Sequence, residues 1–324
     1  MTATLPDRLL EVFERSITTE YVTIDGRGQP IVWPVTPYFR RGAPTIDVTT
    51  GVGYPKKADD AAGNAHVALL FSDPTGSGLH DPPMVLVQGT ASVDDRDLDA
   101  NRERFVTEHS AKLPESRSRQ LPQRVRPLLD WYFTRIYVRV RPERIYSWPH
   151  ENPEQEPELL DAHLEEVRSG HNEEPEEPPP SPEGGGSVWH ERLAQLGSRH
   201  PTAVLAVVAP DGFPFAVRVP VRADRAARLI RIDADPVGVP LLPGLASMTA
   251  HAHPPNLSWR RNFQVRGDLV RASDGWALAP HRVVPGFEAP PGIALRSRLD
   301  NVRKAVRYRR KAKVERQRRG RGSG

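Results

Sequence analysis

The sequence contains no cysteine, which excludes disulfide bonds, thiolate metal ligands and a cysteine nucleophile. It also lacks any run of about 18 apolar residues, the length that a membrane-spanning helix needs. The first 16 residues contain no apolar segment typical of a signal peptide. Neither a phosphate-binding P-loop, nor GxGxxG at the start of a helix, nor a GxSxG elbow is present. These absences predict a soluble, cytoplasmic protein.

The charged residues form two blocks of opposite sign, so the net charge of +4 is a balance between them. Residues 151–183 contain twelve acidic residues and one basic residue, whereas residues 296–324 contain thirteen Lys or Arg and two acidic residues. Blocks of one sign are usually solvated or disordered, and these two blocks can also attract each other. Alternatively, the basic tail contacts nucleic acid or another acidic surface.

Proline and glycine divide the chain into two halves. The stretch HNEEPEEPPPSPEGGGS, residues 171–187, has the composition of a linker. We therefore divide the chain into a first domain (1–150), an acidic Pro/Gly-rich linker (151–187), a second domain (188–295) and a basic C-terminal tail (296–324).

The two domains resemble each other, which indicates an internal repeat. Each begins with an amphipathic helical pattern, at residues 8–16 and 189–200, and continues into two apolar runs joined by Asp-Gly. Asp-Gly between such runs is a strong hairpin signal. Short strands separated by turns predict a mainly β fold, with two tandem β-barrels and peripheral helices. Gly89 and Gly267 each interrupt a later strand, which predicts a bulge in both barrels.

A lysine pair follows the end of one predicted strand. Thr49 and Thr50 close the strand, a Gly/Pro-rich turn follows, and Lys56 and Lys57 begin a short polar helix. The pair has either a solvating role or binds an anion, such as a phosphate, together with backbone N–H groups. The corresponding turn of the second domain, residues 234–244, contains no basic residue. We therefore expect one principal anion site, built on the first domain.

The order of these elements resembles the flavin-binding split β-barrel family related to pyridoxamine 5′-phosphate oxidase. The resemblance depends on the opening helix, the Asp25-Gly26 hairpin, the Thr49-Thr50 strand end, and Lys57 with Asn64 after it. The VALLF strand and the closing strand RIYVRVRPERIYSW complete the set. It covers residues 5–150 well and residues 188–295 weakly. Family members form homodimers with the cofactor between two barrels, so the resemblance implies that these tandem split barrels form a pseudo-dimer.

The resemblance also implies FMN or a deazaflavin coenzyme as the cofactor, and hydride transfer with a small organic substrate. Two positions depart from the family pattern, because Trp33-Pro34 replaces a frequent arginine and Ala65 replaces the proline after the asparagine. No catalytic acid or base is identified, and the alternative is a non-catalytic module that binds a cofactor or nucleic acid. The residues assigned to the cofactor are Lys56 and Lys57, Thr49 and Thr50, Pro34, Val35 and Thr36, Met84 and Val85, with Trp259, Arg260 and Arg261 as the opposite wall.

Two histidines, His251 and His253, alternate along a predicted strand and therefore lie on one face, as metal ligands require. No carboxylate or third histidine follows at a familiar spacing. The sequence therefore favours neither a metal site nor haem.

Overall fold

The computed structural model describes residues 5–115, 130–161, 189–288 and 295–321. These residues form two β units and five α-helices, so the predicted mainly β class is confirmed. The helices are α1 (Asp7–Arg15), α2 (Lys56–Gly63), α3 (Leu98–Lys112), α4 (Asp130–Phe133) and α5 (Leu295–Arg321). No helix within the described ranges combines the length and the apolar character needed to cross a membrane. The acidic linker, predicted for residues 151–187, lies mostly outside the described residues.

The first unit is an antiparallel sheet with strand order β2-β1-β5-β6-β7-β4-β3, and β8 pairs with β7. Helix α1 packs against it because Leu9, Val12 and Phe13 recur at helical spacing and are buried. The predicted closing strand is confirmed as β7. The strands are β1 (Thr19–Ile24), β2 (Pro30–Val35), β3 (Pro37–Tyr38), β4 (Ile46–Gly51), β5 (His66–Phe71), β6 (Met84–Asp94), β7 (Arg135–Trp148) and β8 (Glu158–Asp161).

The second unit is a closed barrel with strand order β10-β11-β14-β13-β12-β9. The amphipathic pattern of residues 189–200 predicted an opening helix, but the structure has only a 3-10 helix, Glu191–Gln195. Gly197, with φ of +85°, follows it and turns the chain towards the barrel. The strands are β9 (Thr202–Val208), β10 (Pro214–Asp224), β11 (Leu229–Ile232), β12 (Gly244–Ala252), β13 (Arg261–Ala272) and β14 (Gly275–Glu288).

The two units have the same strand order, which confirms the repeat. Both Asp-Gly sites join the first hairpin of their unit, β1–β2 and β9–β10. In the second unit the single strand β10 pairs with β9 through its first part and with β11 through its last part. In the first unit the corresponding run is interrupted at Thr36, so that β2 pairs with β1 and β3 pairs with β4.

The predicted bulges occur at equivalent positions of the two units. The ladder between β6 and β7 shifts register between Gln88 and Gly89, and that between β13 and β14 shifts between Arg266 and Gly267. A Cβ atom at Gly89 or at Gly267 would lie 2.1 Å from a backbone oxygen of the neighbouring strand. Glycine is therefore required at both bulges because only its bare backbone fits.

The two units pack face to face as a pseudo-dimer. On β5, Val67 and Leu69 point into the core of the first unit, while Ala68 and Leu70 join a core shared with the second unit. Two glutamines make reciprocal bonds, since Gln88 Nε2 donates to the Pro214 carbonyl (2.9 Å) and Gln264 Nε2 to the Val32 carbonyl (2.8 Å). These exchanged hydrogen bonds between equivalent strands are what an approximate two-fold relation requires.

Candidate cofactor cavity

A cavity of about 310 Å³ lies between the two units, and α5 closes one side of it. Its volume is at the lower end of the usual range for small-molecule pockets. The wall is aromatic and cationic, a combination that suits a planar ring system carrying a phosphate. The lining residues are Ile31, Trp33 and Pro34 from β2, Tyr54, Lys56 and Lys57 around the start of α2, Trp131 and Tyr132 from α4, Arg260, Asn262, Val284, Pro285 and Gly286 from the second unit, and Lys304 and Tyr308 from α5.

The structure separates the roles of the two adjacent lysines. Lys56 is half exposed, and its Nζ atom forms ion pairs with Asp60 (2.8 Å) and Asp25 (3.6 Å). Lys57 Nζ lies 5.6 Å from the centroid of the Tyr54 ring and pairs with no carboxylate among the described residues. Burial, with Arg135 and Arg260 nearby, lowers the pKa of Lys57 to about 8. Of these two lysines, Lys57 is thus the one whose positive charge has no carboxylate partner among the described residues.

Arg260 contributes a second positive charge to the cavity. Its side chain hydrogen-bonds the Tyr132 hydroxyl, which Arg135 also contacts. Burial opposes ionisation of this phenol, but the two guanidinium groups outweigh burial and lower the pKa of Tyr132. Arg135 is buried and its guanidinium stacks over the rings of Phe105 and Tyr132, 4.4 Å from each centroid. The two arginines thus favour the phenolate form of Tyr132.

The basic tail was expected to be solvated or to pair with the acidic linker, but its described part is a docked helix. The Arg319 guanidinium is 8% exposed and pairs with Asp59 and Asp95, both in the first unit. The Tyr308 ring lies 5.1 Å from that of Tyr54 and 5.9 Å from that of Trp131. Helix α5 is therefore part of the cavity wall.

Pro34, Val35 and Thr36, which the sequence analysis assigned to the cofactor, lie beside two cavities. Pro34 lines both the large cavity and a neighbouring void of about 30 Å³, whereas Val35 and Thr36 line only the small void. Among the predicted residues of the opposite wall, Arg260 lines both cavities and Arg261 the small void.

Five other predicted residues line neither cavity. Thr50 is buried, and its hydroxyl donates to the Tyr54 carbonyl (3.0 Å), which holds the turn before α2. Thr49 is half buried on the same strand, and Trp259 is half buried just before β13. Met84 and Val85 were predicted to approach the ring, but both are fully buried, Met84 in the shared core and Val85 in the core of the first unit.

The equivalent position in the second unit differs from the lysine turn. Residues 234–243 form a loop without a helix, and this loop packs against the segment between β7 and β8. The Val237 N–H donates to the Pro153 carbonyl (2.9 Å), and Gly238 packs against the Pro157 ring. The expectation of a single principal anion site therefore stays a prediction, which the absence of basic residues in this loop supports.

A second polar cluster is buried between the units, beside the small void. The Glu20 carboxylate accepts hydrogen bonds from Ser72 Oγ (2.7 Å), from Arg218 (3.0 Å) and from His251 Nε2 (2.6 Å). The sequence pattern gave no reason to connect these residues, since Glu20 is 198 and 231 positions from its two partners in the second unit.

Sequence reasoning missed most of the aromatic wall. Nothing in the local sequence distinguishes Trp131 and Tyr132 from residues of a peripheral helix, and Lys304 and Tyr308 lie in the segment predicted to be a tail. The interleaving of Tyr308 with arginines is the one signal in the tail that distinguishes it from a solvated segment.

Known proteins resemble this chain at the level of solved structures. No protein-family model matches the chain, and no curated protein matches it. Solved structures that are similar include a putative pyridoxamine 5′-phosphate oxidase from Listeria innocua, with 18% identity, a TM-score of 0.31, and coverage of 44% of this chain and 95% of that one. The family that the sequence resembles is thus represented among the similar solved structures.

Two other similar solved structures are of proteins with different names. One is an F420 reductase, with 19% identity and a TM-score of 0.32, covering 41% of this chain and 92% of that one. The other is the heme storage protein HutZ from Vibrio cholerae, with 15% identity and a TM-score of 0.32, covering 44% of this chain and 93% of that one. The similarity to these three structures extends over less than half of this chain.

Proposed function

We propose that the cavity between the two units binds FMN or a deazaflavin coenzyme and that the protein is an oxidoreductase. The observation that carries this proposal is the pairing of aromatic walls with two cations, Lys57 and Arg260. Neither cation forms an ion pair with a carboxylate in the part of the chain that the structure describes. A phosphate group would supply the missing negative charge through charge-assisted hydrogen bonds.

The residues of the cavity fit such a cofactor in two ways. Lys57 and Arg260 would hold its phosphate, with Lys304 as a further cation at the wall. Trp131 and Tyr308 would pack against a planar ring. When bound, FMN or a deazaflavin supplies hydride transfer, and the protein supplies binding, orientation and exclusion of water.

Tyr132 is one group in the described wall of the cavity that can hold or donate a proton. Its hydroxyl is hydrogen-bonded by Arg260 and Arg135, which stabilise the phenolate. A small organic substrate that gains or loses a hydride also exchanges a proton in most reactions, and Tyr132 would serve in that exchange.

The test is a titration of the purified protein, stripped of bound cofactor, with FMN, riboflavin, a deazaflavin coenzyme and haem, followed by absorbance and fluorescence. Lys57→Ala should weaken FMN binding by about 10- to 100-fold, the range for one charged hydrogen bond, and leave riboflavin binding nearly unchanged because riboflavin has no phosphate. Lys313→Ala is the matched control, since this lysine is exposed on the far part of α5.

Equal losses of FMN and riboflavin affinity in Lys57→Ala would overturn the assignment of Lys57 to the phosphate. A protein that binds none of the flavins, yet retards DNA in a salt-dependent manner, would favour the non-catalytic binding module. A Soret band on addition of haem would favour a haem protein.

A further inference from the structure

We propose that Asp73, His251 and His253 together bind one divalent transition-metal ion of the zinc type between the two units. This site is separate from the proposed cofactor cavity, and the inference does not depend on the proposed function. The sequence did not favour a metal because no carboxylate follows the histidine pair at a familiar spacing. The fold supplies that carboxylate from the other unit, at the end of β5.

The three side chains have the separation that a tetrahedral site requires. Asp73 Oδ2 lies 3.6 Å from His251 Nδ1 and 3.4 Å from His253 Nε2, and all three ligand atoms lie within 4.8 Å of one another. With metal–ligand bonds of 2.0–2.1 Å, neighbouring ligands of a tetrahedral Zn²⁺ ion are about 3.3 Å apart. Small movements of side chains would therefore suffice to bind the ion.

The hydrogen bonds of the two imidazoles leave one nitrogen lone pair on each ring near the Asp73 carboxylate, where a metal ion would bind. His251 Nε2 lies 2.6 Å from the Glu20 carboxylate and 3.0 Å from Arg218 Nη2. The shorter contact, with the carboxylate, favours a proton on Nε2, which leaves the lone pair on Nδ1. His253 Nδ1 lies 3.0 Å from the Pro254 carbonyl, so here Nε2 carries the lone pair. In metal sites, ligating histidines are oriented in this way by a carboxylate or a carbonyl on the other nitrogen.

An independent observation also points to a cation site. His251 Nδ1 is buried and has no hydrogen-bond partner among the described residues, and the side chain is 2% exposed. The Asp73 carboxylate lies 3.6 Å from this nitrogen and cannot donate a hydrogen bond to it when ionised. A lone pair facing a carboxylate is unfavourable unless a cation lies between them.

The net charge of the surrounding groups is compatible with the binding of a cation. With neutral imidazoles, the carboxylates of Glu20 and Asp73 and the guanidinium of Arg218 leave one net negative charge in the buried cluster. The small void of about 30 Å³ is lined by both histidines and by Thr18, so a fourth position for water is available. The Thr18 hydroxyl now contacts His253 Nε2 (2.8 Å), and metal binding would replace this hydrogen bond.

The test uses the full-length protein without a histidine tag, treated with a chelator and titrated with Zn²⁺ and with Co²⁺. We expect one equivalent of metal per chain by calorimetry and elemental analysis, an intense visible spectrum of the Co²⁺ form, and a rise in Tm on addition of Zn²⁺. Asp73→Asn and His253→Gln should each weaken Zn²⁺ binding at least tenfold, because each removes one ligand.

His150→Gln is the matched control, because His150 also contacts an aspartate, Asp81, but on the exposed surface. This variant should bind one equivalent with unchanged affinity. Circular dichroism of the metal-free variants establishes that they are folded, and either ligand variant alone is sufficient for the test. Absence of stoichiometric binding to the wild type, or equal affinity in the ligand variants and the control, would overturn the proposal.

Discussion

The guanidinium of Arg218 in the second barrel donates a 3.0 Å hydrogen bond to the carboxylate of Glu20 in the first barrel, and Glu20 is completely buried. Burial raises the pKa of this carboxyl group, but Arg218 and His251 outweigh burial and hold its pKa below the usual value. The two halves of the chain therefore share an ionised pair, and neither half can bury its own member without the other.

Removal of one partner of this pair should strongly destabilise the protein. In Arg218→Ala the buried Glu20 carboxylate loses its countercharge, and we expect a loss of about 3–5 kcal/mol in the free energy of unfolding, measured with urea. Arg144→Ala is the control, because Arg144 pairs with Asp211 between the same two units at a more exposed position. It should cost less than about 1 kcal/mol. Similar losses in both variants would contradict the role of burial.

The affinity for a phosphorylated cofactor should decrease with rising pH. The pKa of Lys57 is lowered to about 8, so its ammonium charge is present at pH 7 and largely lost at pH 9. FMN affinity should therefore fall across this range, and riboflavin affinity should remain nearly constant. In Lys57→Arg the charge persists at pH 9, so the fall should be smaller. An unchanged pH profile in this variant would show that another group titrates.

Helix α5 should separate from the first barrel when a methyl group is added at Gly53. A Cβ atom at this position would lie 2.6 Å from the Tyr308 backbone oxygen, which forces the backbones apart. In Gly53→Ala we expect trypsin to cleave the arginine-rich helix several-fold faster than in the wild type. FMN should also bind more weakly, because Lys304 and Tyr308 leave the wall.

The control for this experiment is Gly63→Ala at the end of α2, where an added Cβ meets no atom within 4 Å. Its proteolysis rate and FMN affinity should equal those of the wild type. Equal cleavage of the two alanine variants would mean that contact at Gly53 does not hold the helix.

Acid should destabilise the protein through two buried histidines. Burial, with nearby arginines, lowers the pKa of His109 and of His200 to about 4. The unfolded chain binds these protons near pH 6.5, so the free energy of unfolding falls as the pH decreases from 6.5 to 4. The contribution is at most about 3 kcal/mol per histidine. His109→Gln should reduce this dependence in urea titrations at several pH values, whereas exposed His80→Gln should not.

Local sequence signals were sufficient to predict the two barrels. Asp-Gly between apolar runs identified both first hairpins, and Gly89 and Gly267 identified both bulges, because these features depend on neighbouring residues. The run VALLF, in β5, lacks the alternation of a half-buried strand since both faces of β5 are buried, one by its own unit and one by the other.

The candidate sites depended on contacts that local patterns do not encode. Asp73 meets His251 and His253 only because the two units pack together, across about 180 positions of sequence. The charge block after residue 295 suits a solvated tail and a docked helix equally well. Its docking is decided by Asp59 and Asp95, which lie more than 200 positions earlier.

The position of α5 has a consequence for protein synthesis. Ribosomes produce Lys304 and Tyr308 after both barrels, and these two residues complete the cavity. A nascent chain interrupted at residue 294 would contain every strand of both barrels but would lack one wall of the cavity. Under the proposed function, chains translated through this helix would retain the cofactor better than truncated products.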